Sequence, residues 1–366
     1  VGKWHLASDK GEHRYERTAV PPDRRGGYNG YWVASDVLEF TSHGYGGYLH
    51  DQDGNRVDFD GYRTDCVTDY ALRYIEEYDR KEPFFLFLSH IEPHHQNDRN
   101  SYEGPEGSRE KFRDFVLPED LKGLPGDYGT WYPDYLGCCN ALDHNFGRVM
   151  DALTRKGILE NTVVVYASDH GCHFRTRASE VTEGGYDDYK RSAFEGTIRV
   201  PLLIKWPGVA RPGGVISEPV ISTDLYPTCL AAAGLPQRPS QHLDGLNLQP
   251  LLAGETSFDC RSLFWHFPHY NEHPSSVPSS VVRRGPWKLI ETFDPEGVEL
   301  YNLADDLGET NNLAAAKPEL VDEMRRELNS WRKDVGAEMM RPNPDYDPAA
   351  ELPKKGKKRA KQGVQQ

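Results

Sequence analysis

Two apolar runs, each ending in a histidine-bearing polar loop, constrain the fold of this 366-residue chain most tightly. Residues 83–95 read PFFLFLSHIEPHH, and residues 161–171 read NTVVVYASDHG. Continuous aromatic or β-branched runs of this length suit strands covered on both faces. They predict an α/β protein with a mainly parallel sheet sandwiched by helices. Strands are expected at 84–89, in the apolar part of 161–171, and within 200–208, where Pro207 stops the run. Helical spacing lies between them. In 64–78 the face is Val67, Ala71 (or Tyr70), Tyr74 and Tyr78; in 133–157 it is Leu136, Cys139, Leu142, Phe146, Val149 and Leu153, with Gly157 as the C-terminal cap. Open α/β sheets place their sites beyond the carboxyl ends of strands, and both His94 and Asp169 fall there.

Length implies one large core and a smaller unit. Up to about residue 254 the pattern is α/β; over 255–345 it becomes short antiparallel strands followed by a helix with Leu320, Met324, Leu328 and Trp331 on one stripe. Residues 346–366 read as a disordered basic tail, with six positive charges in KKGKKRAK (354–361) on a chain whose net charge is −14. That acidity argues against a nucleic-acid partner, and no run approaches the ~20 apolar residues of a membrane helix. None of Cys66, Cys138, Cys139, Cys172, Cys229 and Cys260 forms a C-x-x-C pair, so cysteine usage fixes no compartment. The chain opens at Val1 on a polar motif with no apolar leader, which reads as a piece of a longer protein.

Asp169 and His170 at a strand end offer a hard oxygen and an imidazole to a divalent cation, although a polar turn at Gly171 would use the same letters. His173, Arg175 and Arg177 follow at once, and three potential cations beside a carboxylate suit an anion pocket. Lys3 and His5 flank Trp4 in a strand-like stretch, so alternation puts both on one side. Among His90, His94 and His95, one held beyond the strand end suits a general acid, with His94 fixed by Pro93 as the first candidate. Lys190 could add a fixed positive charge or be an ordinary surface lysine. Such a set suits hydrolysis of a charged tetrahedral ester, but it lacks a nucleophile and enough carboxylates to hold a metal.

The motifs together closely resemble the formylglycine-dependent sulfatases of the alkaline-phosphatase-like superfamily. GKWHLAS (2–8) is similar to the family's G-K-W-H-L-G, EPHHQND (92–98) to its P-H-x-P loop, and YASDHG (166–171) to its metal-binding S-D-[NH]-G. KRSAFEGTIRVPLLIKWPG (190–208), STDLYPTCLAAAG (222–234) and LYNLADDLGETNNLA (300–314) resemble later family segments. The resemblance implies that Lys3 and Lys190 bind sulfate oxygens, His5 bonds a hydrated formylglycine, and His94 protonates the leaving oxygen. It also implies that Asp169 and His170 ligate Ca2+, and that the protein is periplasmic, extracellular or lysosomal.

Ala7 and Gln96 depart from the family's glycine and second proline. The C-x-P-S-R segment that yields formylglycine, and the paired aspartates of the first strand, are absent; they are expected upstream of Val1. Residues 1–366 alone are therefore expected to be inactive and to fold poorly, because a missing first strand leaves apolar sheet exposed. The tyrosine- and glycine-rich loops 97–132 and 172–189 suit a sulfated sugar over an aryl sulfate. The alternatives are a phosphodiesterase or phosphonate hydrolase of the same superfamily, or a non-catalytic binder of sulfated glycans using His173, Arg175, Arg177 and the tail. Oligomeric state is left open.

Overall fold

A computed structural model describes residues 1–9, 13–118, 121–122, 126–178, 186–188, 192–258, 261–269 and 277–344. Lys190, Cys260 and the 346–366 tail lie outside these residues. The strands are β1 (Gly2–Lys3), β2 (Val33–Ser35), β3 (Tyr45–Asp51), β4 (Arg56–Tyr62), β5 (Val164–Ala167), β6 (Arg175–Ala178), β7 (Tyr186–Asp188), β8 (Leu202–Lys205), β9 (Ser262–Phe267), β10 (Ser279–Arg284), β11 (Trp287–Phe293) and β12 (Glu296–Asn302). The helices are α1 (Leu38–Thr41), α2 (Arg63–Glu77), α3 (Ser108–Lys111), α4 (Tyr128–Arg155), α5 (Glu195–Ile198), α6 (Leu225–Ala232), α7 (Gln249–Leu252) and α8 (Pro318–Asp334).

The α/β class stands, with a larger antiparallel share than the apolar runs imply. Among the described residues, β1 pairs in parallel with β2, and Gly2 makes a parallel bridge to Ser89; β2, β3 and β4 then continue antiparallel. The 84–89 run bonds to β1 only near its end, through Val1 N–H to Phe87 O and the Ser89 amide and carbonyl. It is well covered on one side, while the other meets the Tyr28 ring and is otherwise open. Phe84 and Leu86 pack with Ile75, Ala152, Leu153 and Val164, whereas the alternating Phe85 and Phe87 are exposed. Strand β5 forms where expected but pairs antiparallel with β8.

The two long helices also form. In α2, Val67, Ala71 and Ile75 are buried, while Tyr74 and Tyr78 lie against Phe84 at its edge. In α4 the expected stripe is half-buried apart from Leu153, which is fully buried, with Phe146 against Tyr166 of β5; the adjoining Cys138, Ala141 and Asn145 are buried as well. Asn145 tolerates burial because its amide donates to Asp65 Oδ1 at 2.7 Å and to Ala141 O at 2.9 Å. Gly157, at φ 74°, ends the helix as expected.

The C-terminal strands form one antiparallel sheet in the order β12-β11-β10-β9. On one face Met324, Leu328 and Val321 of α8 cover Val282, Leu289 and Leu300, with Leu320 and Trp331 at the margin. On the other, Val281, Ile290, Tyr301 and Leu303 meet Ala193 and Phe194, beside α5. Both faces are thus covered, and the second joins this sheet to the rest of the molecule. No helix among the described residues is long and apolar enough to cross a membrane.

Candidate functional site

Gly2 lets β1 pass between Ser89 and Ala34. Its φ is 97°, and a Cβ there would lie 2.0 Å from Ser89 O, so no larger residue fits. Lys3 follows, and its Nζ lies 3.2 Å from Oε2 of Glu39 in α1, with both side chains largely buried. Burial pushes the Glu39 carboxyl up, but Lys3, a backbone hydrogen bond and His94 together pull it below the ordinary range. Lys3 and Glu39 therefore make a buried ion pair at the end of β1, near enough to His94 for it to act on the Glu39 carboxyl electrostatically. Glu39 had no signal in the sequence beyond an acid set between Leu38 and Phe40.

His5 does not continue the alternation. It takes a left-handed φ of 56° and its side chain is exposed, because the chain curls around Asp36. That buried carboxylate accepts the amides of Leu6, Ala7 and Ser8 at 3.1, 2.9 and 2.8 Å. The methyl of Ala7 fills a cluster of Val20, Trp32 and Ala34, which accounts locally for alanine in place of glycine.

The three adjacent histidines separate by environment. Desolvation holds the His90 imidazole down to about 4, so it is neutral near pH 7, with Thr68 Oγ1 3.3 Å from its Nε2. His95 is buried among rings, at centroid distances of 5.3 Å from Tyr102, 6.2 Å from Trp131 and 5.2 Å from His173. His94 is the one that acts electrostatically on the Glu39 carboxyl. The loop is anchored at its start by the buried pair Arg63 Nε–Glu92 Oε1 at 2.8 Å. Burial pushes the Glu92 carboxyl up, and the Arg63 charge leads the effects that bring it below its usual range. At its other end Gln96 donates to Glu39 O at 3.2 Å and Asp98 Oδ1 at 2.6 Å, so one hydrogen bond to the site and one within the loop stand where the family has a proline.

At the end of β5, Asp169 is 84% exposed, with its Oδ2 3.4 Å from His170 Nε2. Its Oδ1 accepts the His170 amide at 2.9 Å, and the ring nitrogen Nδ1 of His170 lies 2.9 Å from Gly171 O. The pair is thus preset by its own backbone. One carboxylate and one imidazole fall short of the six to eight oxygens that calcium takes. Among the described residues no group of three or more His, Cys, Asp or Glu side chains could hold a metal. The residues present do not by themselves fit a Ca2+ site. His173 meets His95 across the gap between the two loops, while Arg175 and Arg177 stand in β6 opposite β7, in register with Asp188 and Asp187. Arg63, Glu92, Asp36 and Glu39 are the participants that sequence reasoning passed over.

Comparison with known proteins meets this geometry. The Sulfatase family profile matches residues 1–235, and that of the N-sulphoglucosamine sulphohydrolase C-terminal region matches residues 182–334. A sulfatase of Formosa agariphila is 35% identical over 224 residues, 54% of this chain and 39% of that protein. The N-acetylglucosamine-6-O-sulfatase of Bacteroides thetaiotaomicron is 26% identical, over 86% of this chain and 65% of that one. The chain thus spans well under half of the first of these relatives. In fold it is similar to BT4656, solved in complex with D-glucosamine-2-N,6-O-disulfate, with a TM-score of 0.68, 22% identity, and coverage of 92% and 79%. With a profile match over most of its length and the alkaline-phosphatase-like fold of its neighbours, the chain belongs to the sulfatase family.

Proposed function

We propose that the full-length protein to which these residues belong hydrolyses sulfate esters of a carbohydrate. The observation that carries the reading is the Lys3–Glu39 pair with His94 near it, built at the strand end where the family profile matches. Lys3, with Lys190, holds sulfate oxygens as fixed positive charge, and His94 stands at the leaving oxygen as its proton donor. In this reading His5, exposed beyond the strand, bonds the hydrated formylglycine, and His173, Arg175 and Arg177 bind the sulfated sugar. The carbohydrate preference is supported by the relative named an N-acetylglucosamine-6-O-sulfatase and by the neighbour bound to a glucosamine disulfate.

We extend the proposal to Ca2+ and formylglycine, as the resemblance implies. Asp169 and His170 contribute two of the cation's ligands. The compartment is then periplasmic, extracellular or lysosomal. Assay of the full-length protein and of residues 1–366 against 4-nitrophenyl sulfate, 4-nitrophenyl phosphate and N-acetylglucosamine 6-sulfate tests the reading. Turnover of the sulfated sugar above both aryl esters by the full-length protein, and none by residues 1–366, is expected. Preference for the phosphate ester would favour the phosphohydrolase alternative, and salt-sensitive glycan binding without turnover would favour the binder.

A further inference from the structure

We infer that Lys288, in the C-terminal sheet, is a positioning residue for the loop Ser168–Gly171, acting through Glu195. Lys288 is fully buried on β11, with Nζ 3.0 Å from Glu195 Oε1 and 2.8 Å from Glu309 Oε1. Oε2 of Glu309 accepts the Glu195 amide at 2.6 Å, and Arg283 lies 3.4 Å from Glu195 Oε2. Two cations and two carboxylates balance. Glu309 is held at a left-handed φ of 53°, a strained conformation that persists where surrounding contacts over-determine it. Buried ion groups of this kind often stabilise a fold no more than apolar packing would, but removing one partner leaves an uncompensated buried charge.

What the group holds is α5. Its Thr197 carbonyl accepts the Gly171 amide at 2.7 Å, and a Cβ on Gly171 would lie 1.7 Å from Gly196 O. No slack exists between α5 and the strand-end loop. Gly171 O in turn lies against the His170 ring, and the His170 amide is held by Asp169. A shift of Glu195 therefore carries Asp169 and His170 with it. The consequence for catalysis rests on reading those two as cation ligands; the mechanical coupling does not.

Hydrogen exchange on the full-length protein tests the coupling. In Lys288→Met, exchange over 168–174 and 194–199 should rise about tenfold or more while 138–153 in α4 is unchanged. Lys288→Arg, which keeps the charge, should restore most of the protection. If Lys288→Met does not fold, Glu195→Gln, which spares the Lys288–Glu309 pair, gives the same comparison. Unchanged loop exchange in a folded variant, or a uniform rise that includes α4, overturns the inference. Adding CaCl2 separates the two readings. Protection of 168–174 by calcium in the parent protein, weakened in the variant, supports both. A loosened loop with no calcium protection in either protein supports the positioning role and removes the metal reading.

Discussion

Glu39 and Lys3 each need the other, because both side chains lie largely out of water 3.2 Å apart. Lys3→Met should destabilise the protein by about 2–4 kcal/mol, since it removes the main counter-charge of a buried carboxylate, and adding Glu39→Gln should recover most of that loss. Urea midpoints of the two variants check this. The Glu39 carboxyl sits below its ordinary value, so its contribution is present at neutral pH and fades as pH falls through the acid range. His90 acts with the same sign. Its imidazole is held at about 4 against an ordinary 6.5, so the unfolded chain binds a proton in that window that the folded one refuses. Its share of stability is whole above pH 6.5 and lost as pH drops toward 4. Between pH 7 and pH 5 that amounts to about 2 kcal/mol, read from denaturant midpoints and missing in His90→Gln.

At the scale of elements, the motifs were legible wherever the chemistry is local. The S-D-H-G turn, the β5 run, the α8 stripe and the Gly157 cap rest on residues a few positions apart. Pairs made by topology were invisible: Lys3 and Glu39 are 36 residues apart, Arg63 and Glu92 are 29 apart, and Lys288 and Glu195 are 93 apart. Glu195 and Glu309 stood as letters in two separate motifs, and only the packed sheet gives them one lysine. The turn of His5 out of the strand was equally hidden, because the cause is a carboxylate at Asp36 collecting three amides. Close approach between elements gives a further test. Gly2→Ala should cost about 3 kcal/mol or more, since its methyl would meet Ser89 O and its φ is disfavoured for alanine; thermal melting reads the loss.

For the whole molecule, the coverage of the two apolar runs is the decisive difference between sequence and structure. Phe85 and Phe87 are 62% and 46% exposed, where a continuous run implies burial on both sides. Residues 1–366 should bind an apolar dye strongly and melt with low cooperativity. A sharp melt with little dye binding by residues 1–366 would show that this surface is tolerated. The sulfatase reading is tested most directly by ion chromatography of sulfate released from N-acetylglucosamine 6-sulfate by the full-length protein. We predict steady sulfate release that falls about 100-fold or more in Lys3→Ala. Absence of sulfate release from any sulfated sugar by a folded full-length protein, or release unchanged in Lys3→Ala, would contradict it.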